Sequence, residues 1–357
     1  MCASGAADTA ALSFSFSDAP SDADLATARA FHATLEHATL EQYPGVQGAL
    51  HDTRPGSLFL AQRDQAIVCC AWITERRSRG FDVAAIEFGP LFDDPAIAAA
   101  AINAMLAHYM QRGFALLTVG LDRPADATTD ALVRKLDPRP TSAGATGERD
   151  WSSLHLDLSH DTDALLRGMS KGHRSGIRKA TRMGVSVRPA QGTDDIDGFA
   201  AVLLKMHQAR NQQVDPTESV TLLHDTLALL SQTGMGELLV VEDREDVLIG
   251  GVIIVDQGSV ARYYKGAADP DIRDVAVLHP ALFAAMHRAR QRGRTIFDLW
   301  GYNLHVDATD PRHNINRFKK GFGGEIVSYP AVMDFPLGAR GRVYAGLLGM
   351  KQWLGQA

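Results

Sequence analysis

Residues 237–265 read Glu237-Leu238-Leu239-Val240-Val241-Glu242-Asp243-Arg244-Glu245-Asp246-Val247-Leu248-Ile249-Gly250-Gly251-Val252-Ile253-Ile254-Val255-Asp256-Gln257-Gly258-Ser259-Val260-Ala261-Arg262-Tyr263-Tyr264-Lys265, and the fold is decided here. Two apolar runs, 237–242 and 248–255, are too short for helices and are separated by a charged tip, so they predict an antiparallel hairpin. Residues 260–265 predict a third strand. Downstream, 276–291 has helical character and stops at Gly293, and 295–300 reads as a fourth strand. Upstream, the same order occurs once more. A hairpin is expected over 58–60 and 67–73, a strand over 84–88 closed by Gly89-Pro90, a helix over 95–111 stopped by Gly113, and a strand over 114–119. Both helices end alike, in Gln111-Arg112-Gly113 and Gln291-Arg292-Gly293. Repetition of the whole element order implies an internal duplication. The expected class is α+β, with mixed α/β sheets in two tandem domains.

Around these repeats lie a breaker-rich loop at 137–144, a strand at 151–158, and helices at 161–169, 172–183, 194–210, 217–230 and 340–354. A weak alternation at 12–16 suggests one further strand. The expected domains are 1–155, 156–337, and a C-terminal helix within 338–357 that packs back on the first domain. A chain of 357 residues with 45% hydrophobic content has enough apolar material for two cores and is not a disordered segment.

Composition excludes several function classes. The net charge of -6 means that any nucleic-acid contact must come from a local basic patch. The cysteines Cys2, Cys69 and Cys70 suit a reducing compartment. Cys69 and Cys70 are neighbours on a strand, point to opposite faces, and make poor joint metal ligands. No HExxH, CxxC or spaced His/Asp cluster suggests a metal, no GxSxG elbow a serine hydrolase, and no Walker loop an NTPase. No metal and no cofactor is expected. Without a signal-peptide pattern or an apolar run long enough for a bilayer, a cytoplasmic protein is expected. Oligomeric state is not legible.

Three segments could carry chemistry. In 171–185, Lys171, Arg174, Arg178 and Arg182 recur at helical spacing, and no acid lies between Asp163 and Asp194. Guanidinium groups on one stripe suit phosphate, although such runs are also found as solvated surface. His173, within the run, reads as a surface residue. At 316–324, Asn316-Arg317-Phe318-Lys319-Lys320-Gly321-Phe322-Gly323-Gly324, a helix stops at a glycine-rich turn. A lysine held there, Lys319, could stabilise an oxyanion; an ordinary helix stop with two surface lysines is the plainer reading. At 297–303, Phe297-Asp298-Leu299-Trp300-Gly301-Tyr302-Asn303, a strand ends in polar and aromatic groups. Trp300, Tyr302, Phe318, Tyr263 and Tyr264 are candidate substrate-binding residues. Only one of the two adjacent tyrosines is expected on a given face of a regular strand.

Taken together, Ile86-Glu87-Phe88-Gly89-Pro90, Leu154-His155-Leu156-Asp157-Leu158-Ser159, Tyr263-Tyr264-Lys265-Gly266-Ala267, Phe297 to Gly301 and Phe318 to Gly324 resemble, in order, the motifs of the Fem family of aminoacyl-tRNA-dependent peptidyltransferases. That resemblance implies two GNAT-type domains and transfer of an aminoacyl group from aminoacyl-tRNA to an amine, either on a peptidoglycan precursor or on a small molecule. It implies that Lys319 stabilises the tetrahedral intermediate and that Arg174 and Arg178 belong to a phosphate-binding segment. Lys171, Arg182 and Lys320 would add tRNA contacts, and Tyr263 or Tyr264 would lie on the acceptor side. The long helical arm of some members has no room near 211–217. Two rival readings remain. One is an acyl-CoA-dependent N-acyltransferase, although Arg273-Asp274-Val275-Ala276-Val277-Leu278 lacks the glycines of a pyrophosphate loop. The other is a non-catalytic module that binds RNA or a phosphorylated ligand.

Overall fold

The computed structural model describes residues 12–354 except 37, 47–55, 137–151 and 308. They form two compact units, the first from the chain up to 46, residues 54–149 and everything from 330 onward, the second centred on 150–329. The expected loop at 137–144 lies outside the described residues.

The first unit runs through β1 (Ser13–Ser17), α1 (Asp22–Thr34), β2 (Gly56–Arg63), β3 (Ala66–Ser78), β4 (Phe81–Ile86), β5 (Leu91–Phe92), α2 (Pro95–Gln111), β6 (Leu116–Val119) and α3 (Ala127–Leu136). The second contains β7 (Ser152–Asp157), α4 (Thr162–Gly168), α5 (Lys171–Arg182), β8 (Ser186–Pro189), α6 (Thr193–Ala209), α7 (Pro216–Thr233), β9 (Gly236–Glu242), β10 (Leu248–Gln257), β11 (Val260–Ala268), α8 (Leu278–Gln291), β12 (Ile296–Asp298), α9 (Pro311–Lys320) and β13 (Glu325–Ser328). The chain then returns to the first unit as β14 (Met333–Pro336) and α10 (Gly338–Leu354).

The duplication extends from element order to pairing. In the first sheet β2–β3 and β3–β4 are antiparallel and β4–β6 is parallel. In the second, β9–β10 and β10–β11 are antiparallel and β11–β12 is parallel. A parallel pair requires a crossover, and α2 and α8 supply it in the two units. The matching glycines after these helices, Gly113 and Gly293, have φ of +77° and +79°, the left-handed geometry that closes a helix C-terminus.

Each unit then receives an antiparallel strand from far along the chain. β14 pairs with β6, with Met333 opposite Val119. β7 pairs with β12, with Leu156 opposite Phe297. These strands move both expected boundaries. A limit at 155 cuts through β7, which belongs wholly to the second sheet, and a limit at 337 leaves β14 outside the sheet it completes. Such pairings join residues more than 130 positions apart, which local pattern does not encode. α10 packs on the first unit, where buried Tyr344 lies against Val83 and Ala115 and its hydroxyl meets Ser78 Oγ at 2.9 Å.

Phe59, Ile73, Ile102, Met105, Tyr109 and Leu117 anchor the first core, and Leu156, Val241, Val252, Leu282 and Phe297 the second. Cys69 lies in the first core. Burial pushes its thiol well above the ordinary range, and that of neighbouring Cys70 up to about 12, so neither is a ready nucleophile. The second core also depends on close backbone packing: a Cβ on Gly250 of β10 would meet both Val277 and the Ala267 carbonyl. Gly250→Ala is therefore expected to cost about 2 kcal/mol or more, read as a lower urea midpoint at unchanged slope. Among the described residues, no helix is long and apolar enough to cross a membrane.

Candidate active site

The C-terminal end of β12, the end of α9 and the start of α5 meet in the second unit. Ser170 caps α5, its hydroxyl accepting from the His173 amide at 3.2 Å, while its own amide donates to the Gly321 carbonyl at 2.8 Å. His173 Nε2 lies 2.8 Å from the Phe318 carbonyl oxygen. A carbonyl only accepts, so Nε2 carries the proton and Nδ1 is left to face Ser170 Oγ at 3.0 Å. The expectation of a surface histidine is wrong, because His173 is buried within an aromatic cluster of His279, Phe318 and Phe322. This ring packing, invisible in a basic run, uses the one apolar side of α5.

Burial lowers the pKa of His173 and, aided by His173 nearby, drives His279 down to about 4. For His279 the folded value is below the unfolded one. The stability tied to its neutral ring is complete above pH 6.5 and is lost as pH falls toward about 4. We expect Tm to fall by several degrees across this window, and a His279→Phe variant to show a shallower loss in the same melts.

α9 begins at the Asp310 cap and holds the loop after β12 with two side chains one turn apart. Asn316 Nδ2 donates to the Asn303 carbonyl at 2.6 Å and its Oδ1 accepts from the Asn303 amide at 3.1 Å. Lys319 is buried, and its ammonium donates to the carbonyls of Trp300 and Gly301, the latter at 2.7 Å. Burial pushes its pKa down to about 8, against the opposing pull of Asp298. An ammonium has three N–H donors, and two are committed here. Of the adjacent lysines only Lys320 is exposed; Lys319 is not the surface residue of an ordinary helix stop.

The loop that Lys319 grips is an unusual one. Trp300 and Gly301 have φ of +52° and +44°. For tryptophan that geometry costs on the order of 1 kcal/mol and needs outside support. Asp298 supplies it by accepting from the Trp300 amide at 2.7 Å. Its carboxylate also accepts from Arg262 Nε at 2.7 Å and from the Ser153 hydroxyl, and lies 3.7 Å from His155 Nε2. Register explains this convergence: Glu325, His155, Asp298 and Arg262 stand opposite one another in a row across β13, β7, β12 and β11. Burial alone would raise the Asp298 pKa, but Arg262, His155, Ser153 and the Trp300 amide together hold it below the ordinary range.

Aromatic groups line the same region. The Arg262 guanidinium lies 4.0 Å from the centre of the Trp300 ring, and Tyr264 meets that ring edge-on at 6.2 Å. The two tyrosines do not simply alternate. Ile254 pairs with Tyr263 and Ile253 with Lys265, so Tyr264 is an extra residue, a bulge in β11. Tyr263 packs on the core and burial pushes its pKa to about 12, so Tyr264 is the tyrosine that joins Trp300. Tyr302 is held by its backbone, its amide donating to the Ser152 carbonyl at 2.6 Å. Phe318 belongs to the histidine cluster.

The arginine stripe divides. Arg174 donates to the carbonyls of Arg167, at 3.1 Å, and Met169, and thereby caps the end of α4. Arg174 still lines one groove with Lys171, Arg178, Arg182, Leu166, Ser175 and Thr181, and of these cations Lys171, Arg178 and Arg182 are exposed and make no hydrogen bond or ion pair among the described residues. Beyond them α5 covers the approach to α8. Gly176 packs on Ala276 and His279, Lys179 Nζ donates to the Asp274 carbonyl, and Val277 is buried. Among the described residues no three His, Cys, Asp or Glu converge to hold a metal ion.

Arg262 lies outside every motif noted in the sequence, and His155 and Asn316 stand inside two of them without being ranked as site residues. Asp298 stands inside a motif already noted, and only its partners show its place.

Residues 167–319 match a family model described as an acetyltransferase (GNAT) domain. No curated protein is detectably similar in sequence. Among solved structures, the chain is similar to the crystal structure of FemX, with a TM-score of 0.75 at 14% identity over 91% of this chain and 98% of that one. It is also similar to a tandem GNAT protein from the clavulanic acid biosynthesis pathway, with a TM-score of 0.57 at 11% identity over 92% and 99% of the two chains. A third likeness is to L-PGS from Bacillus licheniformis, with a TM-score of 0.53 at 10% identity over 79% and 85%. The fold is a Fem-like tandem GNAT fold, with no coiled-coil arm among the described residues.

Proposed function

We propose that this protein is an aminoacyltransferase that moves an aminoacyl group from aminoacyl-tRNA to the amine of a peptidoglycan precursor or a small molecule. The observation that carries the reading is Lys319: a buried ammonium held by two carbonyls of the turn that follows β12. The neutral acceptor amine attacks the ester carbonyl carbon and a C–N bond forms. The carbonyl oxygen becomes an oxyanion, to which Lys319 donates its third N–H. The C–O bond to the ribose then breaks, and the proton lost by the amine ends on the departing ribose hydroxyl. An aminoacyl ester is already activated, so positioning and charge stabilisation supply what the reaction needs.

Two features support a tRNA donor over acyl-CoA. The exposed cations Lys171, Arg178 and Arg182 suit a phosphate backbone. The segment entering α8 has branched side chains and is packed by α5, which opposes the glycine-lined approach that a pyrophosphate needs at a helix N-terminus. Tyr264 and Trp300 would border the acceptor.

The test is a label-transfer assay. Purified protein is mixed with radiolabelled aminoacyl-tRNAs and a small-molecule extract, with RNase-treated and acetyl-CoA controls. Label is expected in a small product only with intact charged tRNA. Label moving only from acetyl-CoA would overturn the reading in favour of an ordinary N-acyltransferase.

A further inference from the structure

We propose that Asp298 is the positioning residue for Lys319: it clamps the Trp300–Gly301 turn from one side and so fixes the two carbonyls that aim the ammonium from the other. The inference deepens the reading above and rests on Lys319 being the chemical centre.

The chain of contacts is short. One oxygen of Asp298 takes the Trp300 amide at 2.7 Å, and the carbonyl of the same residue takes Lys319 Nζ. Trp300 thus connects the carboxylate to the lysine through its own backbone. The turn is left-handed at both residues, with φ of +52° and +44°, a conformation that tryptophan leaves unless held. The hold is itself rigid. Asp298 is only 1% exposed, and its other contacts, Arg262 Nε at 2.7 Å, the Ser153 hydroxyl and His155 Nε2 at 3.7 Å, come from two neighbouring strands. His155 is in turn steadied by Tyr329, whose hydroxyl lies 3.1 Å from its Nε2. Arg262 braces the same turn a second time through the face of the Trp300 ring, 4.0 Å away.

The same contacts argue against Asp298 as the proton acceptor. Both of its oxygens are already engaged, by an amide, a hydroxyl and a guanidinium, and it is nearly inaccessible. A base must reach the proton that it removes. The carboxylate is placed to shape the backbone, and its charge acts on Lys319 only secondarily.

Two substitutions separate these roles. Asp298→Asn keeps an oxygen for the Trp300 amide and loses the charge. Asp298→Ala loses both. Lys319 can be followed without any substrate by trace labelling with acetic anhydride across pH, with mass spectrometry of the peptide that contains it. In Asp298→Asn the half-reaction pH of Lys319 is expected to move below its wild-type position, because the turn holds and a favourable charge is gone. In Asp298→Ala it is expected to move the opposite way, toward an ordinary lysine, because the turn relaxes and the amine reaches water. Turnover, with the donor found by label transfer, is expected to stay within about fivefold of wild type in the Asn variant and to fall at least tenfold further in the Ala variant, with KM little changed. Both substitutions take this carboxylate from the buried Arg262, so each is also made with Arg262→Gln, which removes the buried cation and stands in where a single variant does not fold.

Equal loss of turnover in both variants would overturn the inference and make Asp298 a proton acceptor. Shifts of Lys319 in the same direction, or none, would overturn it by showing that the turn does not depend on Asp298. The labelling arm needs no donor, so a failed transfer assay would count against the proposed reaction and leave the positioning result standing.

Discussion

Lys319→Met is expected to lower turnover by about 10²–10³-fold while KM for the donor changes little. This is the scale seen when one donor to a developing oxyanion is removed, and the split follows because the third N–H finds its partner only as charge develops. Methionine is unbranched and close to lysine in length, so the fold should survive. The cost is about 1–3 kcal/mol for two buried carbonyls that lose their donor, and circular dichroism would confirm retained structure. Lys319→Arg is not expected to rescue. The larger planar guanidinium does not fit the space of an ammonium buried against the Trp300 and Gly301 carbonyls. Burial sets the pH dependence. With Lys319 lowered to about 8, the active cationic form is lost as pH rises through that value, whereas the acceptor amine becomes competent as pH rises. A bell-shaped rate profile should result, and its alkaline limb should vanish from the residual activity of the methionine variant. Full turnover in Lys319→Met would remove the lysine from this role.

Gly321→Ala is the second large effect. A Cβ at this position would overlap the His173 imidazole, which is already fixed between the Ser170 hydroxyl and the Phe318 carbonyl. There is nowhere to yield, since His279 and Phe322 close the other sides at ring separations of 4.3 Å and 4.5 Å from His173. Overpacking of this kind costs about 3 kcal/mol. The Gly321 carbonyl also accepts the Ser170 amide, so the start of α5 and the end of α9 should loosen together. The expected outcome is a Tm drop of several degrees, with turnover falling even where the protein remains folded, because Lys319 lies two residues away. A double variant, His173→Ala with Gly321→Ala, should recover part of the stability by vacating the space. Equal stability of Gly321→Ala and wild type in a urea titration would show that the cluster is not tight.

Much of this is legible in the sequence. Lys319 stands out through the resemblance of Phe318 to Gly324 to a Fem motif, against the plainer reading of an ordinary helix stop, and the structure buries it. Trp300 was picked from a strand end, and it borders the site. The structure adds to other readings and corrects one. Arg174 caps α4 through Nη1 while still lining the groove with Lys171, Arg178 and Arg182, because its neighbour in space is a helix end that the spacing of arginines does not report. Tyr263 and Tyr264 were separable only through the bulge, a defect of register between two strands. His173 looked polar and exposed, since a basic run hides the one side of the helix that faces the aromatic cluster.

By itself the sequence determined the repeated local elements: the strands of the two hairpins and their neighbours, where the two crossover helices stop, and that the order occurs twice; the short β5, β8 and β14 and the helix α3 were not legible in it. These follow from periodicity, chain stiffness and the conformational freedom of glycine, all properties of neighbouring residues. Only the tertiary structure decided which strand completes each sheet, and with it the site. β7 carries His155 and Ser153 to Asp298 across roughly 140 residues of chain, and β14 leaves the second half to close the first sheet. Such pairings are chosen by the open edges of sheets that must be covered and by apolar faces that must be buried, and those requirements exist only once the chain has folded.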